Sequence, residues 1–206
     1  MDPTDENLRA WEEIHRSREG RPGVPKDISA LLPEIEARHV LQLGCAGEET
    51  AELMALGALV TAVDSSAEEI ERSRERAPDA AYVHGDLHSL PLEIRRGRFD
   101  LVYAADAFGD VQDLDDWAHG IAAALRPGGH LLAYGTHPVT DCVDPLGHWR
   151  DDYFEREAQL GGILDALLAA GLGLTRLVEF RSLYNWLQRD RRVPWELAVL
   201  AERKPE

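Results

Sequence analysis

A glycine-bearing turn and two acids stand where a ligand would need them. Gly44 and Gly47 bracket the short stretch GCAG, which follows an apolar run and precedes a helix-like pattern. Lacking a Cβ, the backbone at such a turn approaches a ligand closely at the helix N-terminus. Asp64 closes the next apolar run 20 residues after Gly44, where a carboxylate accepts hydrogen bonds from ribose hydroxyls. Asp86 ends a third run and is placed for the exocyclic amine of adenine. A nucleoside-containing ligand follows. Neither G-x-G-x-x-G nor G-x-x-x-x-G-K-[ST] is present, which sets aside a dinucleotide or nucleotide pocket, and with it a nicotinamide-dependent oxidoreductase. Histidine is the side chain suited to proton transfer near neutral pH, and His137 and His148 are the candidate bases, His137 first. With Asp141 and Asp144 they form a loose cluster of nitrogen and oxygen ligands on an irregular loop, and no metal is expected there.

The elements that must hold these residues read as alternating strands and helices. Val40, Leu41 and Leu43 form a first strand that stops at Gly44, Ala51 to Leu56 a helix ended by Gly57, and a second strand closes on Asp64. The crossover is too long for a hairpin, so the two strands are parallel neighbours in a right-handed unit. SSAEEIERSRERAP reads as a helix capped by Ser65 or Ser66, with acids in its first turn and arginines in its last. AAYVHGD is a short strand ending at Asp86, and Phe99 to Tyr103 is strand four. Leu114, Trp117, Ile121 and Leu125 mark an amphipathic helix, RPGG is its stop, and HLLAYG is strand five. ILDALLAAG is a helix, LGLTRLVEF strand six and WELAVLAER strand seven. The fold class is α/β, a three-layer sandwich on a doubly wound, mostly parallel sheet. Ligands in such sheets bind outside the carboxyl ends of the strands, which points to Gly44, Cys45, Ala46 and Gly47, then Asp64 and Ser65, Asp86 and Leu87, Ala104, Ala105 and Asp106, and His137 onward.

VLQLGCAGE, VTAVDSS, GDLHSLP, FDLVYAADAF and LRPGGHLLAY, in this order over residues 39–134, resemble the successive motifs of class I S-adenosylmethionine-dependent methyltransferases of the small-molecule type. The resemblance implies a seven-stranded Rossmann-like sheet with WELAVLAER antiparallel beside strand five, and S-adenosylmethionine as cofactor. By position it sets Gly44 to Gly47 against the methionine part and Asp64 on the ribose. Asp86 and Leu87 then frame the adenine, and Ala104 to Asp106 form the floor under the sulfonium. Two departures fall in the first turn. Gln42 stands where the family's first strand commonly ends in an acid, and GCAGE is one residue shorter than the usual G-x-G-x-G loop. Glu48 or Glu49 replaces the missing acid as partner of the cofactor's ammonium, or the pocket is degenerate.

With 206 residues, 44% hydrophobic and 29% charged, the chain has ordinary globular usage. Residues 1–38 read as an N-terminal helix, over residues 4–17, with a lid or linker segment, and 39–206 as the methyltransferase domain. A net charge of −16 repels polyanions and attracts cations, which disfavours nucleic acid. The acidic start and the lack of an 18-residue apolar run imply a cytoplasmic protein away from membranes. Cys45 and Cys142 are expected to stay reduced. Trp149, Tyr153, Tyr184 and Trp186 lie in the segments that should cover the cleft, against an apolar or aromatic substrate. The resulting expectation is methyl transfer to a small molecule by a monomer or homodimer; the alternative is a non-catalytic methyltransferase-fold protein acting in binding or assembly.

Overall fold

A computed structural model describes residues 23–45, 47–108, 111, 113–144, 146–156, 159–183 and 189–205. The helix expected over residues 4–17, Ala46 of the glycine turn, and Tyr184 and Trp186 lie outside the described residues. In chain order the elements are α1 (Lys26–Ser29), β1 (His39–Leu43), α2 (Gly47–Ala55), β2 (Leu59–Asp64), α3 (Ala67–Arg76), β3 (Ala81–His84), β4 (Phe99–Ala105), α4 (Leu114–Ala124), β5 (Leu125–Thr136), α5 (Leu160–Ala169), β6 (Leu172–Phe180) and β7 (Glu196–Arg203). Short 3₁₀ turns occupy Pro138–Cys142 and Tyr153–Glu155.

The seven strands lie in the order β3-β2-β1-β4-β5-β7-β6. β3 to β5 are parallel, and β7 inserts antiparallel between β5 and β6. Strand alternation sends neighbouring side chains to opposite faces. On one face Leu41, Leu43, Val102, Ala104 and Leu131 pack with Trp117 and Ile121 of α4 and Ile163 and Leu167 of α5. On the other, Val40, Leu101, Tyr103, Leu132 and Tyr134 pack with Ile28 of α1 and Leu53 of α2. Val24, Ile28 and Ile35 are buried in this second cluster, so the segment before β1 is packed onto the sheet.

Local signals explain most boundaries. Ser66 caps α3 by accepting from Glu69 N, and Asp113 caps α4 by accepting from Asp116 N. Two readings change. RPGG does not end before strand five: β5 begins at Leu125 and carries Arg126 to Gly129 as an irregular stretch, with a register shift against β4 between Phe99 and Leu101. β3 ends at His84, not Asp86: Gly85 N makes the last bond toward β2, to Asp64 O at 2.9 Å, and Asp86 already belongs to a local turn in which it accepts from His88 N. Among the described residues no helix is long and apolar enough to cross a membrane.

Candidate functional site

The carboxyl ends of β1, β2 and β4 meet in register: Leu43 pairs with Val63 on one side and Ala104 on the other. Gly44 follows with φ +85°, and a Cβ built there would meet nothing within 4 Å. That is the left-handed region glycine tolerates without cost, and the space beside it is open for a ligand. Asp64 ties the turn to β2. Its Oδ2 accepts from Cys45 N at 2.6 Å and its Oδ1 from Ser66 N at 2.7 Å. The residue is 8% exposed, and each carboxylate oxygen keeps a further lone pair for another donor. Ser65 O is held by His84 Nε2 at 2.9 Å. The glycine turn, Asp64 and Ser65 thus form one cross-braced rim.

Asp86 and Leu87 come next along the rim. Asp86 Oδ1 accepts from His88 N at 2.8 Å in an exposed turn, and Leu87 packs against the first core cluster. Ala104 is buried, Ala105 half-buried and Asp106 exposed at the end of β4. Asp106 has φ +51°, uncommon without glycine although aspartate is among the residues that adopt it. Gly135 permits the turn: a Cβ there would lie 2.9 Å from Ala107 N and 3.1 Å from Asp106 Cα. Ala107 N also donates to Tyr134 O at 3.1 Å.

Beneath the glycine turn lies a buried polar cluster that only its individual members, not their pairing, betray in sequence. Thr50 Oγ1 donates to Gln42 Oε1 at 2.8 Å, and Gln42 Nε2 has no hydrogen-bond partner among the described residues. Tyr103 Oη donates to Tyr134 Oη at 3.2 Å, which donates to Glu49 Oε1 at 2.6 Å. Burial and the Glu49 charge push the Tyr134 hydroxyl pKa well above its usual range. Glu48 turns the other way, to Arg76 Nε at 2.9 Å. The Cys45 thiol is pushed up to about 12 by burial and by Asp64, and burial also raises Cys142. Neither is a thiolate at neutral pH.

The two histidines are not equivalent. His137, expected as the first base, is 5% exposed. Its Nδ1 accepts from Val139 N at 3.0 Å and its Nε2 lies 3.1 Å from Glu179 Oε1 on β6. A carboxylate only accepts, so Nε2 carries the proton and Nδ1 has spent its lone pair. His137 therefore has no lone pair to offer a substrate; it caps the Pro138–Cys142 turn and pins it to the sheet. His148 lies in the next loop, its Nδ1 3.2 Å from Asp144 Oδ2. Asp144 organises that loop, accepting from Leu146 N and His148 N at 3.0 Å and from Arg150 Nη2 at 2.5 Å. These donors hold its carboxyl well below the usual range. Asp141 pairs with Arg156 at 3.5 Å. Among the described residues no cluster of three or more His, Cys, Asp or Glu is arranged to hold a metal.

Trp149 lines two cavities on this covering segment. One of about 610 Å³ is bounded by Trp149, Asp152, Tyr153 and Phe154. The other, of about 340 Å³, lies between Val139 and Val143 on one side and Asp190, Val193 and Pro194 on the other.

Strand order, the antiparallel β7 and the glycine turn braced by an acid after β2 define the class I methyltransferase fold. A family model described as a methyltransferase domain matches residues 41–133. A trans-aconitate 2-methyltransferase of Paracidovorax citrulli is 34% identical over 108 residues, 51% of this chain and 41% of that protein. Its counterpart in Deinococcus radiodurans is 32% identical over 124 residues, 58% of this chain and 46% of the relative. The chain thus spans less than half the length of these curated relatives. The crystal structure of an S-adenosylmethionine-dependent methyltransferase from Mesorhizobium loti superposes with a TM-score of 0.71 at 25% identity, covering 86% of this chain and 96% of the other. The chain resembles the class I S-adenosylmethionine-dependent methyltransferases in fold and, over residues 41–133, in sequence.

Proposed function

We propose that this protein transfers the methyl group of S-adenosylmethionine to a small-molecule acceptor, with residues 39–206 as the catalytic domain and 1–38 as a segment leading into it. The observation that carries this reading is the braced turn: Asp64 holds Cys45 N at 2.6 Å beside the open side of Gly44. Among the described residues, the open side of Gly44 and the donor left over at Gln42 Nε2 are compatible with a ligand seated at this turn.

When bound, the cofactor supplies an activated methyl group on a sulfonium, so the protein's own task is placement. Gly44, Cys45, Ala46 and Gly47 would lie along the methionine part. Asp64 and Ser65 would receive the ribose, Asp86 and Leu87 the adenine, and Ala104, Ala105 and Asp106 would form the floor below the reacting centre. Neighbouring strands lie about 4.8 Å apart, so the ends of β4, β5 and β7 span roughly 10 Å. Trp149 and Tyr153, in the segment after β5, would wall the acceptor. Where the acceptor must lose a proton, His148 is the histidine with a lone pair to give: Nδ1 donates to Asp144, which leaves Nε2 as the acceptor. A net charge of −16 supports a small acceptor over nucleic acid and suits a cationic cofactor. A cytoplasmic location and a monomer or homodimer complete the reading.

Calorimetric titration with S-adenosylmethionine, S-adenosylhomocysteine, NAD and NADPH tests it. Micromolar binding of the first two alone, about 8 kcal/mol, is the expected result. Silence from all four would refute a working cofactor site.

A further inference from the structure

Beyond the last register pair of β5 with β7, Thr136 with Glu196, both chain segments leave the sheet at the carboxyl end of its parallel strands, where ligands of such sheets bind. The segment after β5 carries Val139 and Val143, and the segment before β7 carries Val193 and Pro194. Between them lies the cavity of about 340 Å³, with Trp149 in its wall, a volume in the range of small-molecule sites. The two segments meet at Gly147, where a Cβ would lie 2.6 Å from Asp190 Oδ2. Trp149 sits on a fixed backbone: it bridges to Val143, and the next residue, Arg150, donates its N–H to Cys142 O at 2.8 Å. Its side is nevertheless open to solvent, and the residue is 63% exposed.

Among the described residues, the charged groups lining this cavity are Asp190 and Arg192, and they neutralise each other. Arg192 Nε reaches the two oxygens of Asp190 at 3.0 and 3.1 Å, and Arg192 N donates to Oδ1 at 2.8 Å. The Asp190 side chain is 12% exposed. An anionic ligand that drew Arg192 to itself would therefore strand a largely buried carboxylate, which is costly. Arg150 and Arg156 nearby are already committed, the first to Asp144 and the second to Asp141 and Asp151. What the cavity offers freely is four aliphatic side chains and the face of an indole. Resting on the methyl-transfer reading, we propose that the acceptor is an uncharged aromatic molecule seated against Trp149 in this cavity, and that carboxylated acceptors are excluded from it.

Two dyes with one ring skeleton test this: N-phenyl-1-naphthylamine is uncharged, and 8-anilinonaphthalene-1-sulfonate adds a single negative charge. In fluorescence titration of the full chain, with S-adenosylhomocysteine present, the uncharged dye should bind at least about tenfold more tightly than the sulfonate. Trp149→Ala should weaken the uncharged dye about tenfold and leave the calorimetric affinity for S-adenosylhomocysteine within about twofold. Asp190→Asn keeps an acceptor for Arg192 N and frees the guanidinium. It should strengthen the sulfonate several-fold and leave the uncharged dye within about twofold, whereas simple damage to the loop would weaken both. Failure of the uncharged dye to bind, equal or tighter binding of the sulfonate by wild type, indifference of the uncharged dye to Trp149→Ala, or no gain for the sulfonate in Asp190→Asn would each overturn the assignment. Selective dye binding by a protein that takes up no S-adenosylhomocysteine would refute the methyl-donor reading and leave the cavity's preference for an uncharged ring standing.

Discussion

Both oxygens of Asp64 accept backbone N–H groups before any ligand arrives, Cys45 at 2.6 Å and Ser66 at 2.7 Å. Its removal should therefore act twice. Asp64→Ala deprives ribose of a charge-assisted partner and unpins the glycine turn, and cofactor affinity should fall by at least ~1.5 kcal/mol, with a lower melting temperature in the ligand-free protein as the second signature. Loss of affinity without any change in melting would mean that the brace contributes nothing to the fold. His137 gives a second prediction at this scale. Burial lowers its pKa from the ordinary 6.5, against an opposing pull from Glu179. The unfolded chain then takes up the proton more readily than the folded one. The stability this histidine contributes is complete above pH 6.5 and is lost as pH falls through the lowered folded value. Melting temperature should drop on acidification below about pH 6.5, and His137→Gln should flatten that slope; an unchanged slope would show that other groups set it.

Among the elements, the β4–β5 pair would carry the proposed floor of the site. Its geometry depends on Gly135, because the Asp106–Ala107 backbone rests where a Cβ would be, 2.9 Å from Ala107 N. Here the neighbour is backbone, which cannot swing aside. Gly135→Ala should cost about 1–3 kcal/mol of stability by overpacking and should weaken the cofactor by displacing Asp106; denaturant unfolding and calorimetry together check both, and a variant as stable as wild type would show the turn to be compliant. Strand and helix positions were legible because each rests on a local pattern. Strand six occupies Leu172 to Phe180, and the second strand closes on Asp64, as their apolar runs imply. RPGG misleads because proline and glycine signal a break locally, whereas Leu125 pairs with Phe99 and His130 with Leu101 across a register shift. Glu49 and His137 find their partners, Tyr134 and Glu179, 85 and 42 residues away. No local pattern reports such partners, so a histidine that caps a turn looks in sequence like a histidine awaiting a proton.

At the scale of the whole molecule, the excess of acids is the property that composition states outright. Lys and Arg number 22 against 38 Asp and Glu, and several ion pairs among the described residues are exposed local ones, such as Arg72 with Glu68 and Glu69. Exposed pairs of this kind contribute little to stability, so the net field rather than the pairs is what a ligand meets at a distance. S-adenosylmethionine carries sulfonium, ammonium and carboxylate, a net positive charge, whereas S-adenosylhomocysteine lacks the sulfonium charge and is neutral overall. The field should distinguish them. Raising ionic strength from 0.01 M to 1 M shortens the screening length from about 30 Å to about 3 Å. Affinity and association rate for S-adenosylmethionine should therefore fall several-fold, while those for S-adenosylhomocysteine stay nearly constant. Close contacts inside the site are common to both ligands and are screened far less, so they cancel in the comparison. Stopped-flow binding of the two ligands across that salt range measures the difference. Parallel salt dependence would show that the acidic surface attracts nothing to this site, and that recognition of the donor rests on the cleft alone.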